Sequence, residues 1–259
     1  MSLIAMVSAK GSPGVSTSAV AMALAWATGR PGRTVTLVDA DVSGSGPSST
    51  YQRHGLDDGR GLLAWATGND DVLQTQVVQL GDVGTAGLLP GFPDGTKGGA
   101  LTGRWDSLLA ALRAAVDQDP SHDILIDIGR LGSGHEGVPL VRGSDVVLLV
   151  LQTTFDHVSF ASAAAKSLTV QYGLHAPVCA LLVGEHRPYS RRDVAAALDI
   201  PLLGVVVHDR KAAALIGAGA LQGSIRRSSL VRSCAAVVAA LPQHNADLES
   251  VGGVGVHRD

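Results

Sequence analysis

Six short apolar runs, at 3–8, 34–39, 123–128, 145–152, 178–183 and 202–207, alternate with segments of helical period at 17–28, 106–117, 157–171, 191–198, 210–221 and 228–241. The runs are apolar on both faces, so each must be covered above and below. Strands joined through helices predict parallel pairing, because a parallel pair needs a long crossover. The pattern therefore predicts one α/β domain over residues 1–243, with a mostly parallel sheet and helices on both faces. Of 259 residues, 46% are apolar and 17% charged, enough to fill one large core. No internal repeat is evident. The polar, glycine-containing tail at 244–259 is expected to be disordered.

Local signals refine this outline. Ser190 precedes Arg191-Arg192-Asp193, and Asp156 precedes His157-Val158; both read as helix N-caps. Residues 81–103 hold eight glycines and two prolines. They read as a surface loop in preference to a lid, with Leu88-Leu89-Pro90-Gly91 as a short strand ending in a turn.

Bulk properties exclude several classes. A net charge of −3 gives no global affinity for polyanions. Cys179 and Cys234 form no CxxC pair and read as small buried apolar residues, not as a zinc site or disulfide. The chain starts on a core strand without a charged leader, and no apolar run approaches the ~20 residues of a membrane span. A soluble, cytoplasmic protein is expected.

Chemistry concentrates in Ala9-Lys10-Gly11-Ser12-Pro13-Gly14-Val15-Ser16-Thr17, between the first strand and the first helix. Strand, glycine loop and helix together form a phosphate-binding loop, in which successive amides point into one concavity at a helix N-terminus. The amides of Gly14, Val15, Ser16 and Thr17 can donate; Pro13 has none. Valine stands at 15 where a phosphate-binding lysine is expected. A charged hydrogen bond of that kind is worth ~1.5–3 kcal/mol, roughly tenfold to a hundredfold in affinity. Its loss should impair hydrolysis more than binding.

The loop resembles the deviant Walker A motif of the MinD/ParA family of P-loop ATPases, K-G-G-x-G-K-[ST]-[ST]. Lys10, Gly11, Gly14, Ser16 and Thr17 match it; Ser12 replaces a glycine and Val15 the second lysine. The resemblance continues almost end to end. Asp39-Ala40-Asp41 resembles the family's D-x-D, and Ile124-Leu125-Ile126-Asp127-Ile128-Gly129 its Walker B strand. The resemblance implies that ATP and Mg2+ bind here, with Ser16, Asp39 and Asp127 serving the metal. Asp41 would orient the attacking water, and Lys10 would reach across a nucleotide-dependent homodimer to the partner's ATP. Gly129 or Gly132 stands in for the glycine that meets the γ-phosphate. Arg130 reads either as a phosphate contact or as a solvated side chain. Glu185, His208 and Asp209 stand at the positions that face the base. Gly61-Leu62-Leu63, Leu89-Pro90-Gly91 and Tyr189-Ser190 resemble the TadZ/CpaE branch.

The implied function is an ATP-binding, dimerising switch with weak or slow hydrolysis. It would position cellular machinery: a partitioning chromosome or plasmid, the septum, or a pilus or secretion apparatus, through a protein partner of that system. The alternative is a pseudo-ATPase scaffold that turns nothing over. Arg226, Arg227 and Arg232, and Arg187, Arg191 and Arg192, form basic clusters that could hold nonspecific DNA, but solvated helix faces are the preferred reading. The tail is too glycine-rich for an amphipathic anchor, so no direct membrane attachment is expected.

Overall fold

The computed structural model describes residues 2–11, 14–44, 47, 60–68, 72–131, 137–170, 173–174, 176–185 and 188–242. Ser12, Pro13, Gly132, Arg187 and the tail at 244–259 lie outside the described residues. Eight strands form one sheet: β1 (Leu3–Ser8), β2 (Thr34–Asp39), β3 (Val78–Gln79), β4 (Ala86–Leu89), β5 (His122–Arg130), β6 (Val146–Leu151), β7 (Val178–Val183) and β8 (Leu202–Val206). Their order is β3-β4-β2-β5-β1-β6-β7-β8. Every pair is parallel except β3–β4. All six expected strands are present.

Eight helices are described: α1 (Val15–Gly29), α2 (Leu62–Thr67), α3 (Trp105–Gln118), α4 (Val138–Arg142), α5 (Phe155–Val170), α6 (Arg191–Leu198), α7 (Arg210–Gly217) and α8 (Ser229–Ala240). Alternate strand residues face opposite layers, as a strand's period of two requires. Ile4, Met6, Leu37, Leu125 and Leu148 pack beneath α1, α7 and α8. Leu3, Ala5, Ile126, Val147 and Leu149 pack with the helices of the other face. Helix α1 is buried from Ala19 to Trp26 between sheet and α8, which explains why its sequence is apolar all round.

Ser190 caps α6 as expected, in a reciprocal capping box with Asp193. Asp156 is not an N-cap: α5 starts at Phe155, and Asp156 lies in its first turn, where a carboxylate suits the helix dipole. Residues 81–103 are not a bland surface loop. They hold β4 and a 3-10 turn, and they bury Leu88, Leu89, Phe92 and Leu101. Among the described residues, no helix is long and apolar enough to cross a membrane.

Candidate functional site

The carboxyl ends of β1, β2 and β5 lie side by side, and open α/β sheets bind ligands at such strand ends. β1 delivers the glycine loop. Gly14 adopts φ 94°, a left-handed conformation that glycine tolerates, and starts α1 there. The first amides of α1 have no intrahelical partners, so this end presents donors and a positive dipole.

β2 and β5 deliver the carboxylates. Asp39 and Asp127 are register partners in the β2–β5 ladder and are 1% and 0% exposed. Asp127 Oδ1 accepts from the Gly129 amide at 2.9 Å, and the Ser16 hydroxyl also hydrogen-bonds Asp127. Asp127 Oδ2 is buried with no hydrogen-bond partner. Burial, then the charge of Asp39, pushes the Asp127 carboxyl up to about 8. A buried acceptor without a donor, beside a second carboxylate and a serine hydroxyl, fits a hard cation with oxygen ligands. Among the described residues no three His, Cys, Asp or Glu side chains converge as a metal cage. Two carboxylates and a serine hydroxyl are a donor set that suits Mg2+, which takes few protein ligands and completes its shell with water and phosphate oxygens.

A cavity of about 520 Å³ opens above these groups. Gly11, Gly14, Val15, Ser16 and Thr17 line one side of it, and Ser8, Asp41, Ser43, Gly129 and Arg130 the other. Asp41 is 7% exposed, and its Oδ1 accepts from the Ser43 amide at 2.9 Å. Gly129 is held at φ 72°; a Cβ there would meet the Asp41 carboxylate at 2.6–2.9 Å. The residue after Asp127 and Ile128 must therefore be glycine for Asp41 to sit where it does.

A support that sequence reasoning missed lies behind Asp39. A Cβ on Gly91 would meet the Asp39 carbonyl oxygen at 2.2 Å and its Cγ at 3.0 Å. The Leu62 amide in turn donates to the Pro90 carbonyl at 2.7 Å. Gly61-Leu62-Leu63 and Leu89-Pro90-Gly91 are thus one brace. Glycines recurring at 91, 95 and 98 were its available signal: all three approach the β2 exit at Asp39, Val42 and Ser43.

The remaining expected residues lie further out. Lys10 Nζ is 2.6 Å from Asp156 Oδ2 and 5.5 Å from the Phe160 ring centroid, on α5 of its own chain. His208 and Asp209 line a smaller cavity of about 150 Å³, which shares Gly14 and Thr17 with the larger one. Asp209 also caps α7, accepting from the Ala212 amide at 2.9 Å and the Ser229 hydroxyl at 2.7 Å. Glu185 is exposed, lines neither cavity, and pairs with Arg191 at 3.3 Å.

No protein-family model and no curated protein matches the chain. Solved structures do. A ParA family ATPase from Chlorobium tepidum superposes with a TM-score of 0.72 at 17% identity, over 92% of this chain and 97% of that one. MinD of Aquifex aeolicus, in a MinC:MinD cell division complex, gives 0.71 at 14%, over 92% and 94%. The septum site-determining protein MinD of Pyrococcus horikoshii, complexed with Mg-ADP, gives 0.70 at 16%, over 98% of each chain. The chain has the fold of the MinD and ParA ATPases across nearly its whole length.

Proposed function

We propose that this chain is a MinD/ParA-type positioning switch that binds Mg-ATP in the larger cavity and closes as a homodimer. One observation carries the reading: the amino end of α1 faces a buried carboxylate pair in which Asp127 Oδ2 has no donor. Amides with a helix dipole suit phosphate, and the carboxylates with Ser16 suit its magnesium. The relative solved with Mg-ADP supports the same ligand class.

Ser16, Asp39 and Asp127 would hold the metal, which when bound neutralises phosphate charge. Asp41, on the cavity wall beside Gly129, would orient the attacking water. The smaller cavity at His208 would take the base. With Val15 in the lysine's place, turnover is slow and binding outlasts it. Exposed Phe155 and Phe160 on α5, the latter beneath Lys10 Nζ, give a second copy an apolar surface to cover. The cargo would be reached through a protein partner in the cytoplasm. The chain would be a TadZ/CpaE-like relative of the pilus systems, a reading that rests on the runs Gly61-Leu62-Leu63, Leu89-Pro90-Gly91 and Tyr189-Ser190 in its sequence.

Calorimetry with Mg-ATP, combined with mass measurement in solution, tests this. Micromolar-range binding and a nucleotide-dependent doubling of mass are expected; absence of both sinks the reading. Val15 favours a second reading, a scaffold that binds nucleotide without turnover. An ATPase rate abolished by Asp41→Ala would eliminate it.

A further inference from the structure

Among the described residues that line the larger cavity, Arg130 is the one cation. Val15, at the usual lysine position, is apolar and 5% exposed. Lys10 does not line the cavity and is engaged with Asp156. Beyond the magnesium proposed at Asp39 and Asp127, a polyphosphate seated here would otherwise have only backbone amides to offset its charge beside Asp41.

The backbone shows why Arg130 reaches this position. Met6 pairs with Asp127 in the β1–β5 ladder, but Val7 pairs with Gly129, so the register slips by one residue at Ile128. Register partners on parallel strands project to the same face. Without the slip, Asp127 and Arg130, three residues apart, would project to opposite faces, and Arg130 would turn from α1. With it, Arg130 pairs with Ser8, and both line the cavity. Such bulges re-aim side chains beside functional sites, and Gly129 at φ 72° supplies this one. The guanidinium is exposed and, among the described residues, has no ion-pair partner.

We infer that Arg130 takes over the charge of the absent loop lysine, delivered from the strand end after Asp127 instead of from the glycine loop. This rests on the proposed nucleotide site. A planar guanidinium can fork two phosphate oxygens, so the affinity lost at Val15 is regained from across the cavity.

The test is fluorescence titration of Mg-ATP, ADP and adenosine against the full chain and its variants. Arg130→Ala should weaken ATP by roughly tenfold to a hundredfold, ADP by less, and adenosine not at all. Arg130→Gln should behave alike, with an unchanged unfolding midpoint, because the side chain is exposed. The double variant Val15→Lys/Arg130→Ala should regain most of the lost ATP affinity, since a lysine in the loop makes Arg130 dispensable; a purely structural role for Arg130 would show no such rescue. If the unsubstituted chain binds ATP and Arg130→Ala binds it equally well, this inference is overturned and the nucleotide site stands. If the unsubstituted chain binds no nucleotide, the site itself is overturned, and this inference with it.

Discussion

Lys10 Nζ lies 2.6 Å from Asp156 Oδ2, so the lysine expected to reach a partner protomer is held by the first turn of α5 in its own chain. Both side chains are substantially exposed, at 36% and 63%, so the pair adds little to stability. Lys10 must leave Asp156 if it is to cross a dimer interface. Asp156→Ala should leave the unfolding midpoint where it is and promote ATP-dependent dimerisation at severalfold lower protein concentration. Lys10→Ala should bind nucleotide as a monomer. Sedimentation velocity across a concentration series reads both, and equal self-association in all three proteins would refute the role of Lys10.

Asp127 places function and stability in opposition. Its folded carboxyl is raised to about 8 by burial and by Asp39. Between the unfolded value of about 3.9 and that folded value, the folded state binds more protons than the unfolded one. Its contribution therefore turns increasingly unfavourable as pH climbs through that window. Asp127→Asn should raise the ligand-free unfolding midpoint at pH 8, lose that advantage near pH 4, and abolish any Mg2+ dependence of nucleotide binding. Thermal melts at the two pH values, with and without Mg2+, check the three outcomes together.

The central strands were legible because each is a continuous apolar run, which only a doubly covered parallel strand requires. β3 and β4 were not. β3 has two residues, and β4 carries Gly87 in a segment whose eight glycines read as loop. Those glycines mark close approach instead: Gly87 meets Val77, and Gly91 meets Asp39. The convergence of Ser16, Asp39 and Asp127 followed from three local motifs at strand ends. The Lys10–Asp156 pair could not, because it joins residues 146 apart that no motif links. Likewise, the slip at Ile128 decides where Arg130 points; Gly129 at the strand end is its one available sign, and in the sequence it reads instead as a phosphate-facing glycine.

At the opposite end of the sheet, Asp123 is fully buried and accepts from Ser2 N, Trp26 Nε1, Arg30 Nη1 and twice from Arg33. Arg30 also donates to the Leu241 and Pro242 carbonyls, tying the end of α8 to α1. Burial works to raise the Asp123 carboxyl, but Arg33, Arg30 and Trp26 outweigh it and hold it below the usual range. The stabilisation is complete above about pH 4 and is lost as pH falls through the lower folded value. Asp123→Ala leaves Arg30 buried without its partner and should cost about 3–5 kcal/mol by urea denaturation at pH 7. The penalty should shrink with acidification, as the native carboxylate protonates. A constant penalty from pH 7 to pH 2 would rule out the ionic origin.

Gly91 offers a separable test of the brace behind Asp39. An alanine Cβ there would stand 2.2 Å from the Asp39 carbonyl oxygen, a backbone atom that can move only with β2. Relief of the clash must therefore displace Asp39 from its register with Asp127, or push Phe92 out of the core. Overpacking of this kind costs about 1–3 kcal/mol. Gly84 lies in the same glycine-rich segment, and a Cβ added there would meet nothing within 4 Å. Gly91→Ala should therefore lower both the unfolding midpoint and the Mg-ATP affinity, while Gly84→Ala leaves the affinity unchanged. The decisive comparison is ATP with and without Mg2+: a displaced Asp39 weakens the metal-dependent part of binding and spares contacts made by the α1 amides. Equal loss under both conditions would mean that the brace supports the fold in general, with no particular hold on the carboxylate pair.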